Sequence, residues 1–166
     1  MRKLALTAAV ILAASGHGAV AQDAALVTLK VMTPEAALTL AQAALKDCRN
    51  RGYQVAVAVV DRFGVLQVLL RDRFAGPHTP DTARRKAWTA VSFRTDTLSM
   101  AELTEAGKEA SGVRFVDQAL MIGGGVAVEA AGSIVGGVGV SGAPGGAADD
   151  ACARVGIAAI QADLEF

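Results

Sequence analysis

The stretch that decides the fold runs from residue 55 to residue 71 and reads VAVAVVDRFGVLQVLLR. Residues 55–60 are apolar at every position, which is typical of a central strand covered on both faces. Residues 61–64 read as a turn, and residues 65–71 supply a second apolar run. The stretch therefore predicts a β-hairpin, whose short connection makes the two strands antiparallel.

Helix-start signals flank this hairpin on both sides. Residues 33–35 (Thr-Pro-Glu) supply a capping hydroxyl, an early proline and a carboxylate near the positive helix end, and Gly52 supplies a stop. Residues 79–81 (Thr-Pro-Asp) repeat the start signal and predict a second helix that extends to about Phe93. The positions expected to face inward are Leu38, Ala41, Leu45 and Cys48 in the first helix and Ala83, Ala87, Ala90 and Val91 in the second.

The second half of the chain predicts short strands between two further helices. Thr97 caps a predicted helix that extends to about Ala106, and a final helix begins near Ala148 with Cys152, Val155 and Ala159 facing inward. The strands predicted here are residues 119–122, 126–129 and 133–141. Because the links between strands are short, we expect an α/β fold of the α+β type, an antiparallel sheet with helices on it.

The first 21 residues have the pattern of a signal peptide. Arg2 and Lys3 precede an apolar run over residues 4–14, and residues 19–21 read Ala-Val-Ala, a cleavage pattern. The alternative, a retained membrane anchor, needs a longer apolar run. We therefore expect a periplasmic or secreted protein whose single domain comprises residues 22–166.

The expected mature chain has 14 basic against 16 acidic residues and no basic stripe, which argues against nucleic acid as a partner. It has no later apolar run of about 18 residues, so we expect no membrane association after cleavage. The whole chain is 52% apolar and 19% charged, which leaves apolar surface to cover and favours a homo-oligomer.

Two cysteines, Cys48 and Cys152, remain in the expected mature chain. An even number of cysteines in an exported protein predicts a disulfide, because the compartment is oxidising. A metal site is disfavoured by the absence of a CxxC motif and the scarcity of histidine. The remaining alternative is a pair of reduced, buried thiols.

Two familiar catalytic or nucleotide-binding patterns are excluded. The glycines at 123–125 and 136–139 neither open a helix in a Rossmann pattern nor precede the Lys-Ser/Thr of a P-loop. They either permit close backbone approach or contact a ligand, and the sequence leaves both interpretations open. Ser141 is not a nucleophile elbow, because Ala143 stands where that motif has glycine.

His78 is the candidate metal ligand. Because His17 lies in the predicted signal peptide, His78 is the single imidazole of the expected mature chain. It precedes a helix in a loop stiffened by prolines, and the basic residues Arg84, Arg85 and Lys86 follow, suited to the carboxylates of a haem. The alternative is a surface histidine beside a solvated basic face.

Five motifs together carry a family resemblance. They are VVDRFGVL (residues 59–66), RD (71–72), RKAWTA (85–90), GGGVAV (123–128) and IVGGVGVSG (134–142). In this order the chain resembles the GlcG/HbpS (DUF336) family. The resemblance implies a profilin-like domain with a five-stranded antiparallel sheet flanked by helices, often in oligomers. It also implies haem binding in some members and a corrinoid-linked role for a related C-terminal domain.

We therefore expect an exported haem-binding accessory protein that captures, buffers or senses haem, with no catalytic residue assigned. One alternative is an enzyme of small-molecule catabolism, with the glycine-rich loops and the neighbourhood of Asp61, Arg71 and Lys86 as its pocket. A second is an oligomeric interaction module. The candidate cofactor-binding residues are His78, Arg84, Arg85, Lys86, Asp61, Arg71, Gly124 and Gly125.

Overall fold

The computed structural model describes residues 25–165, so the predicted signal peptide lies outside the described residues and stays a prediction. The helices are α1 (Pro34–Asn50), α2 (Thr79–Phe93), α3 (Thr97–Leu103), α4 (Gly146–Ala158) and α5 (Gln161–Leu164), with a 3-10 helix over Glu109–Phe115. The strands are β1 (Ala56–Asp61), β2 (Leu66–Arg71), β3 (Gly125–Ala130) and β4 (Ser133–Ser141). Within these residues, no helix is long and apolar enough to cross a membrane.

The strands form one antiparallel sheet in the order β2-β1-β4-β3, which confirms the α+β class. The sheet described has four strands, so the expected fifth strand at residues 119–122 is wrong. This segment is held by α2 instead of by a strand: the Leu120 N–H donates to Thr89 Oγ1 at 2.9 Å. Ala119 and Met121 pack with Met100 in a small apolar cluster, and that contact replaces strand pairing.

Helix α1 begins as predicted, because Thr33 Oγ1 accepts the Ala36 N–H at 3.2 Å. Its inward face differs from the expected one at Leu38, which is 40% exposed while Leu40 is buried. In α4, Val155 is likewise exposed, and Ala159 lies exposed just after the helix end. The side chains that face the core are Ala37, Leu40, Ala41, Ala44, Leu45 and Cys48 in α1 and Cys152 and Ala153 in α4.

The two faces of the sheet are packed with side chains of different size. Helices α1 and α4 cover a valine-rich face in the main core. Helix α2 covers a face on which small residues predominate: Ala56 and Ala58 meet Ala83, and Val60 packs with Ala87 and Val91. A Cβ on Gly139 would overlap the carbonyl oxygen of Ala83, so α2 lies against the backbone of β4 itself. Gly137 and Gly139 of β4 are therefore needed for the close approach of α2.

We expect Gly139→Ala to destabilise the fold, because the added methyl group meets a helix carbonyl that cannot turn away. Overpacking of this kind costs about 1–3 kcal/mol of the free energy of unfolding. Urea denaturation followed by circular dichroism measures the loss. Gly112→Ala is the control, since no atom lies within 4 Å of the position of its Cβ. Equal unfolding free energies for the two variants would contradict the close approach of α2.

The predicted disulfide is present. Cys48 of α1 and Cys152 of α4 are bonded across 104 residues of sequence, with Cα atoms 5.6 Å apart. Both side chains are fully buried. The bond therefore ties the two helices of the valine-rich face together, and closing so long a loop contributes roughly 4–5 kcal/mol in the chain-entropy model.

Candidate functional site

A cleft of about 670 Å³ lies at one end of the sheet. Because neighbouring strands are antiparallel, the start of β1, the exits from β2 and β4 and the approach to β3 all meet there. Its volume is in the range of about 300–1,000 Å³ that small-molecule sites occupy. The residues that line it are Tyr53, Gln54, Phe74, Gly76, His78, Thr79, Thr82, Lys86, Ile122, Ser141, Asp149 and the loop over residues 142–146, together with Gly52 at its edge.

His78 stands at the N-terminal cap of α2, on the rim of this cleft, and it is exposed. Its ring lies over Gly76, where a Cβ would be 2.9 Å from Nδ1. Two apolar side chains share the rim, Phe74 at 79% exposure and Ile122 at 48%. The rim thus combines one accessible imidazole with uncovered apolar surface.

A buried ion pair forms the floor of the cleft. Lys86 is 1% exposed, and its Nζ donates to Asp149 Oδ2 at 2.7 Å and to the Val140 carbonyl at 2.9 Å. Asp149 Oδ1 accepts the Ala143 N–H at 3.0 Å. The pair therefore joins α2, the end of β4, α4 and the loop that follows β4.

Burial is the main influence on Asp149, and it raises the pKa of this carboxyl above its ordinary value. The charge and hydrogen bond of Lys86 and the N–H of Ala143 act in the opposite direction and are outweighed. The carboxylate is accordingly costly to keep charged and depends on its two donors.

Gly124 and Gly125 have no side chain, which leaves space for Asp149 and Lys86 at the floor of the cleft. A Cβ on Gly124 would lie 2.5 Å from Asp149 Cβ and 3.2 Å from Lys86 Nζ, and one on Gly125 would overlap the backbone of Lys86. Of the two interpretations that the sequence leaves open, the structure shows close packing at both glycines.

Arg84 and Arg85 do not line the cleft with His78. Arg84 Nη1 donates to Gln118 Oε1 at 2.9 Å, and Arg85 Nη2 donates to the Ala119 carbonyl at 3.0 Å. Both guanidinium groups are therefore engaged by the segment that replaces the expected fifth strand. Of the three basic residues expected to meet haem carboxylates, only Lys86 reaches the cleft.

Asp61 and Arg71 are also separated. Asp61 lies at the far end of β1, where its Oδ1 accepts the N–H groups of Phe63 and Val65 and closes the hairpin turn. Arg71 donates to the carbonyl of Ala75 and so braces the loop that leads to His78. The pocket that the enzyme alternative would build from Asp61, Arg71 and Lys86 is not formed.

Several residues of the site escape sequence reasoning. Asp149 is 63 residues from Lys86, and no local spacing connects them. Phe74 and Ile122 lie in two different connections and meet only because those connections share one end of the sheet. These residues can be identified only when the strand order of the sheet shows which connections lie at the same end.

The donors available suit a haem better than a bare metal ion. Among residues 25–165, no group of three His, Cys, Asp or Glu side chains could hold a metal. A porphyrin supplies four nitrogen ligands itself, so haem iron needs only axial ligands such as an imidazole. A single exposed histidine on an apolar rim meets that requirement.

Residues 32–158 match the family model described as "Haem degrading protein HbpS-like". The chain belongs to the HbpS-like family. The solved structure of a double mutant of Streptomyces reticuli HbpS is 38% identical, with a TM-score of 0.76 over 92% of this chain and 97% of that chain. A solved complex of PduOC with haem is 29% identical, with a TM-score of 0.74 over 78% of this chain and 95% of that chain.

A curated relative is the corrinoid adenosyltransferase PduO of Salmonella typhimurium. It is 32% identical over 105 residues, which is 62% of this HbpS-like chain and 31% of PduO. The chain therefore spans about a third of the length of that relative.

Replacing Lys86 with Met leaves the carboxylate of Asp149 buried without its cationic partner. We expect the free energy of unfolding to fall by about 3–5 kcal/mol at pH 7. Lys86→Met/Asp149→Asn, which also removes the charge of Asp149, should be more stable than the single variant. Urea titrations of the two variants and the parent measure both differences.

The difference in free energy of unfolding between Lys86→Met and Lys86→Met/Asp149→Asn should depend on pH. Burial raises the folded-state pKa of Asp149 above its unfolded value, and without Lys86 only the Ala143 N–H opposes burial. Its contribution to stability is then fully present below the unfolded pKa and is lost as pH rises through the folded pKa. The single variant should approach the double variant in acid and fall behind it toward neutral pH. A gap independent of pH would contradict the burial of a charged Asp149.

Proposed function

We propose that this HbpS-like protein binds haem in the cleft and acts in haem capture, buffering or sensing. The observation that carries the proposal is His78, the one imidazole within residues 25–165, standing accessible on an apolar rim. Haem-binding sites combine an axial ligand of this kind with apolar contact to the porphyrin.

The residues present fit the group. His78 would meet the iron, and Phe74 and Ile122 would lie against the porphyrin. Haem supplies the iron centre, and the chain supplies its ligand, apolar contact and orientation. Arg84 and Arg85 are engaged elsewhere and Lys86 is paired with Asp149, so these three cations are not free to pair with the haem carboxylates.

Two comparisons support this proposal. The family model that matches residues 32–158 names haem in its description. The structurally similar PduOC was solved as a complex with haem, at 29% identity to this chain. Both are properties of relatives, and they favour haem over other flat cofactors.

We also propose that the protein acts outside the cytoplasm and as a homo-oligomer. The disulfide between Cys48 and Cys152 supports an oxidising compartment, in agreement with the signal-peptide pattern of residues 1–21. Exposed apolar side chains away from the cleft, such as Phe63 and Phe115, support contacts between copies.

Hemin added to the purified protein should give a saturable Soret band, and His78→Ala should shift that band and weaken binding about tenfold or more, because an axial ligand is lost. Gln42→Ala, on the exposed side of α1, is the matched control and should bind as the parent does. Circular dichroism checks that both variants fold. An unchanged spectrum in His78→Ala would overturn the ligand assignment, and no saturable binding by the parent would overturn the function.

The description of the family model supports haem degradation as a second candidate function. The two candidates differ in what happens to the haem after binding. Under air with ascorbate as reductant, degradation predicts a progressive loss of the Soret band that is faster with the protein than with free hemin. A band that persists longer with the protein than in its absence favours capture or buffering.

A further inference from the structure

The wall of the cleft over residues 142–146 is packed at both ends and less so in its middle. A Cβ on Gly142 would lie 2.6 Å from the Gln54 carbonyl oxygen, and one on Gly146, the first residue of α4, would lie 2.8 Å from the backbone of Gly123. The wall reads Gly-Ala-Pro-Gly-Gly, and Gly142 has a φ of +129°. No atom lies within 4 Å of a Cβ placed on Gly145. A segment so rich in glycine is entropically costly to fix in one conformation. Its shape therefore depends on the few contacts that it makes.

The contact in the middle of this wall is with Asp149. The Ala143 N–H donates to Asp149 Oδ1 at 3.0 Å, while Oδ2 of the same carboxylate accepts from Lys86 Nζ at 2.7 Å. Lys86 lies on α2 about two helical turns after His78. One buried carboxylate thus connects the glycine-rich wall to the helix whose cap is the candidate iron ligand.

We propose that Asp149 is a positioning residue of the haem cleft, whose charged carboxylate holds the wall over residues 142–146 in the shape that binds haem and whose protonation releases that wall. The inference rests on the proposed haem-binding function and adds to it a residue that does not touch the iron. It follows from the geometry of the two carboxylate oxygens, each of which serves a different element.

Protonation of Asp149 weakens both of the hydrogen bonds that its carboxylate accepts. A neutral carboxyl loses its charge-assisted hydrogen bond from Lys86 and becomes a weaker acceptor for the Ala143 N–H. Lys86 is then left charged and buried, with the Val140 carbonyl as its remaining acceptor among the described residues. The arrangement that fixes the wall is stable only while Asp149 is ionised.

The other ionisable groups near Asp149 are separate from this contact. His78 and Tyr53 line the same cleft, and Asp150, the next residue of α4, pairs with Arg154. Arg154 also holds Asp96, on the side of α4 toward α3. Lys86 is thus the charged side chain that contacts Asp149 directly. Burial raises the pKa of Asp149 above its ordinary value.

The test compares hemin dissociation constants of the parent and Asp149→Asn between pH 5 and pH 8. At pH 8 the variant should bind about tenfold more weakly, the cost of an imperfectly held hydrogen bond. The dissociation constant of Asp149→Asn divided by that of the parent should approach one as pH falls through the pKa of Asp149. Any effect of pH that the two proteins share cancels in the ratio. Glu102→Gln, at an exposed carboxylate of α3, should give a ratio of one throughout.

Asp149→Glu, which keeps the charge, should recover part of the affinity and the pH dependence. A ratio above one that does not change with pH would reduce Asp149 to a structural role and overturn the proposal. A ratio of one at every pH would also overturn it. Failure of the parent itself to bind hemin would instead overturn the proposed function.

A second measurement needs no variant and no haem. Amide hydrogen exchange of Ala143 in the parent, corrected for the pH dependence of free amides, should lose protection as pH falls through the titration of Asp149. The Val140 N–H, held by the Gly124 carbonyl at 2.9 Å, is the internal reference and should stay protected. Equal behaviour of the two amides would overturn the release of the wall, whatever the variants show.

Discussion

The close approach of α2 to the sheet is the constraint on which the rest of this structure depends. Helix and strand meet here without large side chains between them, since Gly139 faces Ala83 and Gly125 faces the backbone of Lys86. The short distance brings Lys86 Nζ to the carbonyl of Val140 in β4 and to Asp149 of α4. With bulkier residues in β4, the helix would stand farther off and the ion pair would not reach. The same close approach of α2 to the sheet thus packs this face of the fold and forms the ion pair at the floor of the cleft.

The asymmetry of the sheet separates stability from binding. The valine-rich face, covered by α1 and α4, buries most of the apolar surface and carries the disulfide. The opposite face contributes little apolar area, because alanine and glycine have little to bury. This face instead positions α2, so that its N-terminus and His78 lie at the end of the sheet where the connections converge. The proposed haem ligand therefore lies on the side of the sheet that buries less apolar surface.

Local signals in the sequence predict the local parts of this structure well. The capping group of Thr33, the strand over residues 133–141 and the hairpin were all expected from composition and periodicity. The apolar run over residues 119–122 predicts a strand that the structure does not have, since short apolar runs look alike whether they pair with a strand or pack under a helix. The site was only partly predictable. His78 and Lys86 stand out by residue type, but the engagement of Arg84 by Gln118 depends on contacts 34 residues apart that no spacing rule reports.

The burial of the disulfide has a consequence for how the protein can be made. Both sulfur atoms lie inside the packed core between α1 and α4, where a soluble oxidant has no path to them. Oxidation has to occur while the chain is still open enough for an oxidant to enter. A chain that folds first in a reducing cell would then carry two sealed thiols, and air or glutathione added afterwards would not repair it. Recombinant protein made in a reducing cytoplasm would therefore differ from the disulfide-bonded protein until it has been unfolded and refolded under oxidising conditions.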